Sequence, residues 1–385
     1  RGLVGSEMCI RDRTYIGHET ANGVPLVLET TSDTELMNNP RASVQQVYGR
    51  IMEDLDEAIT LLTGASARAD KAEISVEVAY GLRARANLLM GKWAAAASDA
   101  AKAYGTSAPY SVADVSQPTF YNATDNAWIW GIVVTTEDYL AKTGIVNWPS
   151  NLCSLTGMGY TTAASATDVA YRLINKNLWA KIPETDVRKG WWVDEDLHSP
   201  VLDNGLGEDY AYYWANGMFN GGTFPSKFSP YTNVKFGPDN GTFADTDNAQ
   251  DWPLMRVEEM KLIEAEALGR DNLATGKQKL EEFVRQYRDP SYTCTAGSLD
   301  AFIDEVWFQR RVELWGEGFA LFDILRLKKP IIRQGANYPI NSTFAEIAAE
   351  APIMIYRIPE AETSVNSAIT EADNNPAAMA PTPVN

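Results

Sequence analysis

The chain of 385 residues carries a formal net charge of −18, which argues against binding to nucleic-acid phosphates or to an anionic membrane surface. Its two histidines, His18 and His198, and its three widely separated cysteines disfavour zinc sites, Ser-His-Asp catalysis and a disulfide framework. Neutral glycans remain compatible ligands, because aromatic faces and hydrogen bonds hold them and the chain has 11 Trp, 17 Tyr and 12 Phe.

The first 13 residues differ from the rest of the chain. They begin without Met and contain no apolar signal region, and Glu7 and Met8 precede Cys9 where a lipoprotein anchor sequence needs small residues. The run from Ser6 to Arg13 resembles translated sequencing adapter. We therefore expect residues 1–13 to be a sequencing artefact and the chain to be an N-terminally truncated fragment, so that its lack of a leader says nothing about localisation.

Residues 14–105 are predicted to form a helical-repeat part. After a polar, turn-rich stretch over residues 14–40, read as loop, Ser43 and Gln46 have the spacing of a capping box, and apolar residues then recur with a helical period. A second helix is predicted from about Ser75. The pattern that follows it resembles the turn and second helix of a tetratricopeptide unit, with a generic helical hairpin as the alternative. This pattern is Gly91-x-Trp93-x-x-Ala96.

Residues 106–252 are predicted to form a loop-rich lobe with short strands. Residues 127–134 alternate aromatic and β-branched side chains, which indicates a buried strand, and residues 168–180 are predicted to be a helix. Residues 191–252 form a long irregular segment that is rich in aromatic side chains. Loops of this length inside a compact protein are usually functional.

The aromatic loop contains the candidate ligand-binding residues. A sugar ring can pack its C–H bonds on a flat aromatic face while amide and carboxylate groups bond its hydroxyls, so this mixture of residues favours glycan binding. For Trp191 and Trp192 a place in the core is an equally good interpretation. The candidates are Trp191, Trp192, Asp209, Tyr210, Tyr213, Trp214 and Asn216.

Residues 253–376 are predicted to be helical and to contain a buried ion network. A helix entered through Pro253 and capped by Asp251 places charges at helical spacing, and residues 309–328 mix charged with large apolar side chains. Charges among apolar neighbours must be paired, so a structural role is favoured over catalysis. The network is predicted to contain Arg256, Glu259, Glu266, Arg310, Arg311, Glu313, Glu317, Asp323 and Arg326.

The ordered motifs resemble the SusD/RagB family over about residues 14–376. The resemblance implies a mainly α fold, a single domain of tetratricopeptide-like helical pairs with a loop-rich lobe, and a flexible tail over residues 377–385. Gln309 and Ala320 depart from the family pattern, where Glu and Arg are usual. The motifs are Arg256-x-x-Glu259-x-x-Leu262-x-x-Ala265-Glu266-Ala267, Arg310-Arg311-x-Glu313-Leu314, Glu317-Gly318, Asp186-x-Arg188-Lys189, Lys235-Phe236 and Tyr356-Arg357-Ile358-Pro359-x-x-Glu362-x-x-x-Asn366.

The resemblance also implies a function in polysaccharide utilisation. Members are non-catalytic lipoproteins, held on the outer membrane of Bacteroidetes, that bind oligosaccharide or another nutrient and pass it to a SusC-like TonB-dependent transporter. No cofactor or metal is expected. The alternative from another class is a tetratricopeptide-like protein-interaction scaffold.

Acidic residues of the loop-rich lobe could also act as catalysts or metal ligands. A glycoside hydrolase needs two carboxylates about 5 to 10 Å apart, one of them with a raised pKa, and the loop pair Glu208 and Asp209 and residues 194–196 are the candidates. Neighbouring carboxylates in a polar run are expected to be solvated, so this function is the least favoured. Residues 245–251 contain three Asp but lack the Gly and the closing Glu of a calcium loop.

Overall fold

The computed structural model describes residues 14–142, 151–157, 171–218, 227–379 and 381–384. Over these residues the fold is mainly helical with two small antiparallel sheets, as predicted. The strands are β1 (Asn22–Pro25), β2 (Arg41–Ser43), β3 (Trp128–Ile132) and β4 (Trp252–Arg256). The helices are α1 (Asp33–Leu36), α2 (Val44–Leu62), α3 (Val76–Leu89), α4 (Trp93–Tyr104), α5 (Val112–Val115), α6 (Tyr139–Lys142), α7 (Lys176–Trp179), α8 (Pro200–Leu206), α9 (Glu208–Ala215), α10 (Val257–Asp271), α11 (Leu273–Tyr287), α12 (Leu299–Glu313), α13 (Ala320–Arg326) and α14 (Glu360–Thr363).

The predicted capping box starts α2. The Ser43 hydroxyl accepts a hydrogen bond from the backbone N–H of Gln46, and the Gln46 side chain accepts one from the backbone N–H of Ser43 at 2.8 Å. Residues 14–40 are not all loop, because β1 pairs with β2 and Ser32 caps the short helix α1. Within the described residues no helix combines the length and the hydropathy that a bilayer span requires.

The helical hairpin α3–α4 packs on α10. Gly91 turns the chain between α3 and α4 with a φ of 72°, in the left-handed region that favours glycine. Small side chains on α4 let the neighbouring helices approach closely, and α10 supplies larger apolar ones. The small buried residues of α4 are Ala96, Ala97, Ala100 and Ala103.

The C-terminal helices α10 and α11 pack unusually closely. A Cβ placed on Gly276 of α11 would lie 2.3 Å from the Cα of Gly269 in α10, so neither helix could hold this contact with a side chain there. Phe302 of α12 lies against Gly269 and belongs to a core shared by α10, α11 and α12. Two glycines thus set the distance between these helices.

The loop-rich lobe folds around an aromatic core, which includes Trp128 of β3. The strand expected over residues 127–134 is confirmed as β3, which pairs with β4. Within the aromatic core, the ring centroid of Phe120 lies 5.5 Å from that of Trp191 and 5.0 Å from that of Tyr110. Aromatic side chains therefore form a large part of the buried core of the loop-rich lobe.

Three other local predictions were wrong. Of the helix expected over residues 168–180, the described part contains only α7, because Asn175 caps the chain there and Leu173 pairs with Thr232 instead. Residues 191–252 are not wholly irregular, since they contain α8 and α9. Asp251 does not cap a helix. Its carboxylate accepts the backbone N–H groups of Ala123 and Val134, each at 2.8 Å, and the chain continues as β4 before α10 begins.

Candidate functional site

Helix α9 carries the exposed aromatic side chains of the predicted ligand-binding loop. Gly207, with a φ of 81°, separates α8 from α9. One side of α9 buries Ala211, Trp214 and Ala215 in the aromatic core. The side chains that remain are aromatic or polar and lie at the surface.

We call the exposed side of α9 the tyrosine face, formed by Asp209, Tyr210, Tyr212, Tyr213 and Asn216. The three tyrosines are 57%, 58% and 47% exposed in that order. At 3.6 residues per turn, Asp209, Tyr213 and Asn216 follow one another on one stripe of the helix, with Tyr212 and Tyr210 on either side of it.

Contacts within the tyrosine face orient Tyr212, Tyr213 and Asn216. The rings of Tyr212 and Tyr213 contact edge to face, with centroids 6.0 Å apart. The Asn216 amide donates to the carbonyl of Tyr212 at 3.0 Å, which fixes this side chain at the end of the helix. The face therefore presents aromatic surface beside a carboxylate and an amide, which suits a sugar with its apolar ring faces and polar hydroxyls.

The three tryptophans among the candidate ligand residues lie in the core. Trp191, Trp192 and Trp214 are at most 1% exposed. The Nε1 of Trp191 donates to the carbonyl of Val115 and that of Trp214 to the carbonyl of Ser154, both at 3.0 Å. For Trp191 and Trp192 the structure agrees with the core interpretation. Trp214, a candidate ligand residue in the sequence, is also buried and anchors α9 beneath the tyrosine face.

Tyr212 was missing from the sequence prediction, although a signal for it was present. Ala211, Trp214 and Ala215 have the i, i+3, i+4 spacing of a buried helical stripe. A helix in this register leaves Tyr212 and Tyr213 outside. The sequence analysis instead predicts an irregular segment here, which leaves Tyr212 out of the candidate site.

The predicted ion network exists, and Glu313 lies at its centre. This fully buried carboxylate accepts hydrogen bonds from Arg288 at 2.8 and 2.9 Å, and Arg256 and Arg188 lie 3.4 Å from it. Burial alone opposes ionisation of Glu313, but the attraction of Arg288 and the other two guanidinium groups outweighs it, so the pKa is held well below its usual range. The charge is compensated in place, as a structural network requires.

Arg256 joins two further carboxylates, Glu258 and Glu317, to the same network, and Lys235 also pairs with Glu317. Arg256 lies 2.8 Å from Glu258 and 2.8 Å from Glu317, and the ammonium of Lys235 lies 2.7 Å from Glu317. Burial lowers the pKa of Lys235 to about 8, despite the attraction of Glu317. Burial likewise raises the pKa of Glu258, against the pull of Arg256 and Arg288.

A separate buried cluster holds α10 against α12 and α13. Arg326 lies 2.6 Å from Glu266 and 2.8 Å from Asp323, and Asp323 also accepts from Arg310 at 2.8 Å. These four residues were all predicted to be network members. Their charges alternate, so each buried ion has a partner of opposite sign.

Two predicted members have other partners. Glu259 pairs with Arg85 of α3 at 2.6 Å, so it ties α10 to the helical hairpin instead of to the network of Glu313. Arg311 makes no ion pair within the described residues, and its guanidinium lies 4.8 Å above the ring of Trp307. A half-exposed indole face therefore replaces the carboxylate expected for Arg311.

The loop carboxylates do not have the environment of a general acid. Glu208 and Asp209 are exposed on the first turn of α9. Hydrogen bonds from Lys176 and Tyr231 lower the pKa of Glu195, the opposite of what proton donation requires. Asp194 accepts the backbone N–H groups of Asp196 and His198 and shapes a turn. The geometry thus favours binding over glycoside hydrolysis.

Comparison with known proteins agrees with the fold. The crystal structure of a SusD-like carbohydrate binding protein from Bacteroides vulgatus has a TM-score of 0.73 at 21% identity, covering 97% of this chain and 75% of that one. A SusD superfamily protein from Bacteroides thetaiotaomicron has a TM-score of 0.70 at 20% identity, over 98% and 76%. A second superfamily member from Bacteroides vulgatus has 0.71 at 22%, over 98% and 76%.

The amino-acid sequence also matches a protein-family model. No curated protein matches the chain. The family model described as SusD family matches residues 162–376, more than half of the chain and the part that contains the tyrosine face and the ion network. The chain therefore belongs to the SusD family.

Proposed function

We propose that this protein is a non-catalytic binding protein that captures a neutral oligosaccharide on the tyrosine face. The observation that carries the proposal is the exposure of Tyr210, Tyr212 and Tyr213 on a helix whose opposite side is anchored in the core by Trp214. Membership of the SusD family supports it, as does the fold shared with a protein described as carbohydrate binding.

The anchoring of α9 in the core suits this helix to sugar binding. Ala211, Trp214 and Ala215 fix the helix in the core, so its tyrosine rings are already in position before a sugar binds. Binding therefore avoids the loss of affinity that ordering a flexible loop would cause. A sugar face that covers roughly 60 Å² of apolar ring surface stabilises the complex by about 1.5 kcal/mol, which is about tenfold in affinity per ring.

The charge of the chain favours an uncharged glycan. With a net charge of −18 and Asp209 on the tyrosine face itself, an acidic polysaccharide would be repelled from this surface. A neutral oligosaccharide meets no such penalty, and its hydroxyls can donate to the Asp209 carboxylate. We therefore expect neutral glycans to bind more tightly than uronic-acid polymers of similar length.

Membership of the SusD family supports a proposal for the wider role. We propose that the protein is held on the cell surface by a lipid anchor and delivers its ligand to a TonB-dependent outer-membrane transporter of the SusC type. The paired helices α3 and α4 are the part suited to protein contact, because tetratricopeptide-like hairpins commonly present their outer faces to partners.

The proposal is tested by isothermal titration calorimetry of the full chain against a panel of soluble neutral and acidic polysaccharides. The ligand found is then titrated into Tyr210→Ala, Tyr212→Ala and Tyr213→Ala. Tyr356→Ala is the matched control, because this ring is 49% exposed and its residue is tied through Asn375 to Arg41 of β2 instead of to α9. Circular dichroism of each variant confirms folding, and a reducing-sugar assay detects hydrolysis.

We expect a roughly tenfold loss of affinity in at least one α9 variant, unchanged affinity in the control and no release of reducing ends. Binding that survives all three α9 substitutions would place the site elsewhere. Release of reducing ends would turn the assignment to an enzyme, and failure of every glycan to bind would favour the scaffold function.

A further inference from the structure

A cleft without acidic side chains lies in the segment between α13 and α14. It has a volume of about 250 Å³, and Val384 of the C-terminal tail forms part of its wall. Among the described residues that line the cleft, Arg333 is charged and none is Asp or Glu. In a chain with 51 Asp and Glu residues, this cleft therefore combines a positive charge with neutral walls.

Aromatic rings hold the guanidinium group of Arg333 in place. Its central carbon lies 4.8 Å from the ring centroid of Tyr338 and 4.7 Å from that of Phe344. Its Nη1 donates to the carbonyl of Ser342 at 3.2 Å. These contacts orient the group in advance, so binding of a ligand does not have to order this long side chain.

The other edge of the same guanidinium group is free. Within the described residues, Arg333 makes no ion pair, and its Nε and Nη2 have no hydrogen-bond partner. Nε is shielded from solvent, whereas Nη2 is not, so a ligand atom can reach Nη2 without any change in the fold. A charged donor that lacks an acceptor in a cleft gains more from an anion than a fully hydrated one does.

Other arginines of this protein show what the Nε–Nη2 edge binds. Both nitrogens of Arg83 donate to the carboxylate of Asp99, each at 2.8 Å. Both nitrogens of Arg256 donate to Glu317, again at 2.8 Å each. A planar carboxylate matches this edge of the planar guanidinium group. The corresponding edge of Arg333 has no such partner in the described part of the chain.

Arg311 and Tyr338 favour an anion in the same place. Arg311 of α12 has no ion pair in the described ranges, and it lies close enough to Tyr338 for an electrostatic interaction with that side chain. Tyr338 is 38% exposed, and its hydroxyl makes no hydrogen bond to any residue that the structure describes. An anion in the cleft thus meets two positive charges and a free hydroxyl group.

We propose that this cleft binds a small organic carboxylate through Nη2 of Arg333. The volume admits a molecule of up to about the size of a hexuronic acid, and Ile340 and the ring of Tyr338 provide apolar surface for the rest of it. A neutral ligand would leave the charge of Arg333 uncompensated. Because aromatic rings lie against the guanidinium group, the ligand approaches along its edge, which suits a planar carboxylate better than a tetrahedral oxyanion.

The test uses the full chain with D-glucuronate as the probe, by saturation-transfer difference NMR and calorimetry at low ionic strength. D-glucuronamide is the matched ligand, because it replaces the carboxylate by a neutral amide of the same shape. We expect glucuronate to bind at least about tenfold more tightly than the amide, and salt to weaken its binding. No binding of glucuronate, or equal binding of the two compounds, would overturn the proposal. Sulfate that displaces glucuronate with equal affinity would overturn the assignment to a carboxylate.

Variants locate the site. Arg333→Gln should weaken glucuronate at least about tenfold, and Arg311→Gln about threefold through the loss of nearby positive charge. Arg68→Gln is the matched control, because Arg68 also donates to a backbone carbonyl, that of Glu73 at 3.2 Å, and should leave the affinity unchanged.

Arg333→Lys keeps the charge but lacks the planar fork, so we expect a loss of at least about threefold in a protein whose circular dichroism matches the wild type. Unchanged glucuronate affinity in both Arg333 variants would contradict the assignment. The affinity for a neutral glycan should stay the same in every one of these variants. A parallel loss of neutral-glycan binding in Arg333→Gln would refute a carboxylate site separate from the tyrosine face.

Discussion

Removing the charge of Glu266 should lower the free energy of unfolding. The size of this effect can be calculated from the pKa of the buried carboxyl group. Both carboxylate oxygens of this buried residue accept hydrogen bonds from Arg326, at 2.6 and 2.7 Å. Burial alone opposes ionisation, but the attraction of Arg326, with Arg270 and Arg310 nearby, outweighs it and lowers the pKa from 4.5 to about 2. At roughly 1.4 kcal/mol per pKa unit, the ionised side chain contributes about 3 kcal/mol to the free energy of unfolding.

The change that tests this value is Glu266→Gln, which keeps the shape of the side chain and one acceptor oxygen. Urea unfolding of both proteins, followed by tryptophan fluorescence, should give a difference of about 3 kcal/mol at pH 7. Because the pKa is lower in the folded state, this stabilisation is present above pH 4.5 and is lost as the pH falls from 4.5 towards 2. The difference between the two proteins should therefore narrow in acid.

Glu57→Gln is the control for Glu266→Gln, since Glu57 is an exposed glutamate of α2 and should change stability by less than about 0.5 kcal/mol. A difference below about 1 kcal/mol at pH 7 between the wild type and Glu266→Gln would refute the reasoning. A difference that stays constant from pH 7 to pH 3 would refute it as well, because it would not come from the charge.

Three further changes test the buried network and the helix contacts. Glu313→Gln leaves three guanidinium groups facing a neutral amide and should lower the free energy of unfolding by about 3 to 5 kcal/mol, measured by urea unfolding. Lys235 has a folded pKa of about 8 against 10.5 in the unfolded chain, so the unfolded state binds more protons between these values and stability rises there with pH. The wild type should gain up to about 3 kcal/mol relative to Lys235→Met between pH 8 and pH 10.5, and a constant difference would contradict the pKa. Gly276→Ala places a methyl group against α10 and should lower the thermal midpoint through a loss of about 1 to 3 kcal/mol, whereas Gly297→Ala, in open space, should change it little.

Features that depend on neighbouring residues were predictable from the sequence. The start of α2 follows from the spacing of Ser43 and Gln46, because both hydrogen bonds of the capping box are local. The burial of Glu313 and Arg256 follows from charged side chains set among large apolar ones, which only pairing makes tolerable.

Features that depend on distant residues were not predictable in the same way. Glu259 pairs with Arg85, which is 174 positions away in the chain. Nothing in the sequence favours Arg85 over the nearby Arg256 as the partner of Glu259. Arg288 and Arg188 complete the surroundings of Glu313 from two other segments, and only the fold brings them together. The same limit applies to the aromatic loop, where composition indicates ring surface but not which rings pack inside.

The tyrosine face shows both sides of this limit. Its location in residues 191–252 follows from composition and loop length. The division into a buried Trp214 and exposed Tyr212 and Tyr213 requires the helical register of α9, which the preceding Gly207 and the buried alanines determine. Once that register is known, Trp214 leaves the candidate site and the exposed tyrosines of α9 remain in it.

The most direct test of the central claim is the affinity of the double variant Tyr212→Ala/Tyr213→Ala for the best neutral glycan of the panel, compared with the wild type by calorimetry. Two rings at about 1.5 kcal/mol each predict a loss of about 100-fold, with circular dichroism unchanged because both side chains lie outside the core. An affinity within about threefold of the wild type would contradict glycan capture on the tyrosine face.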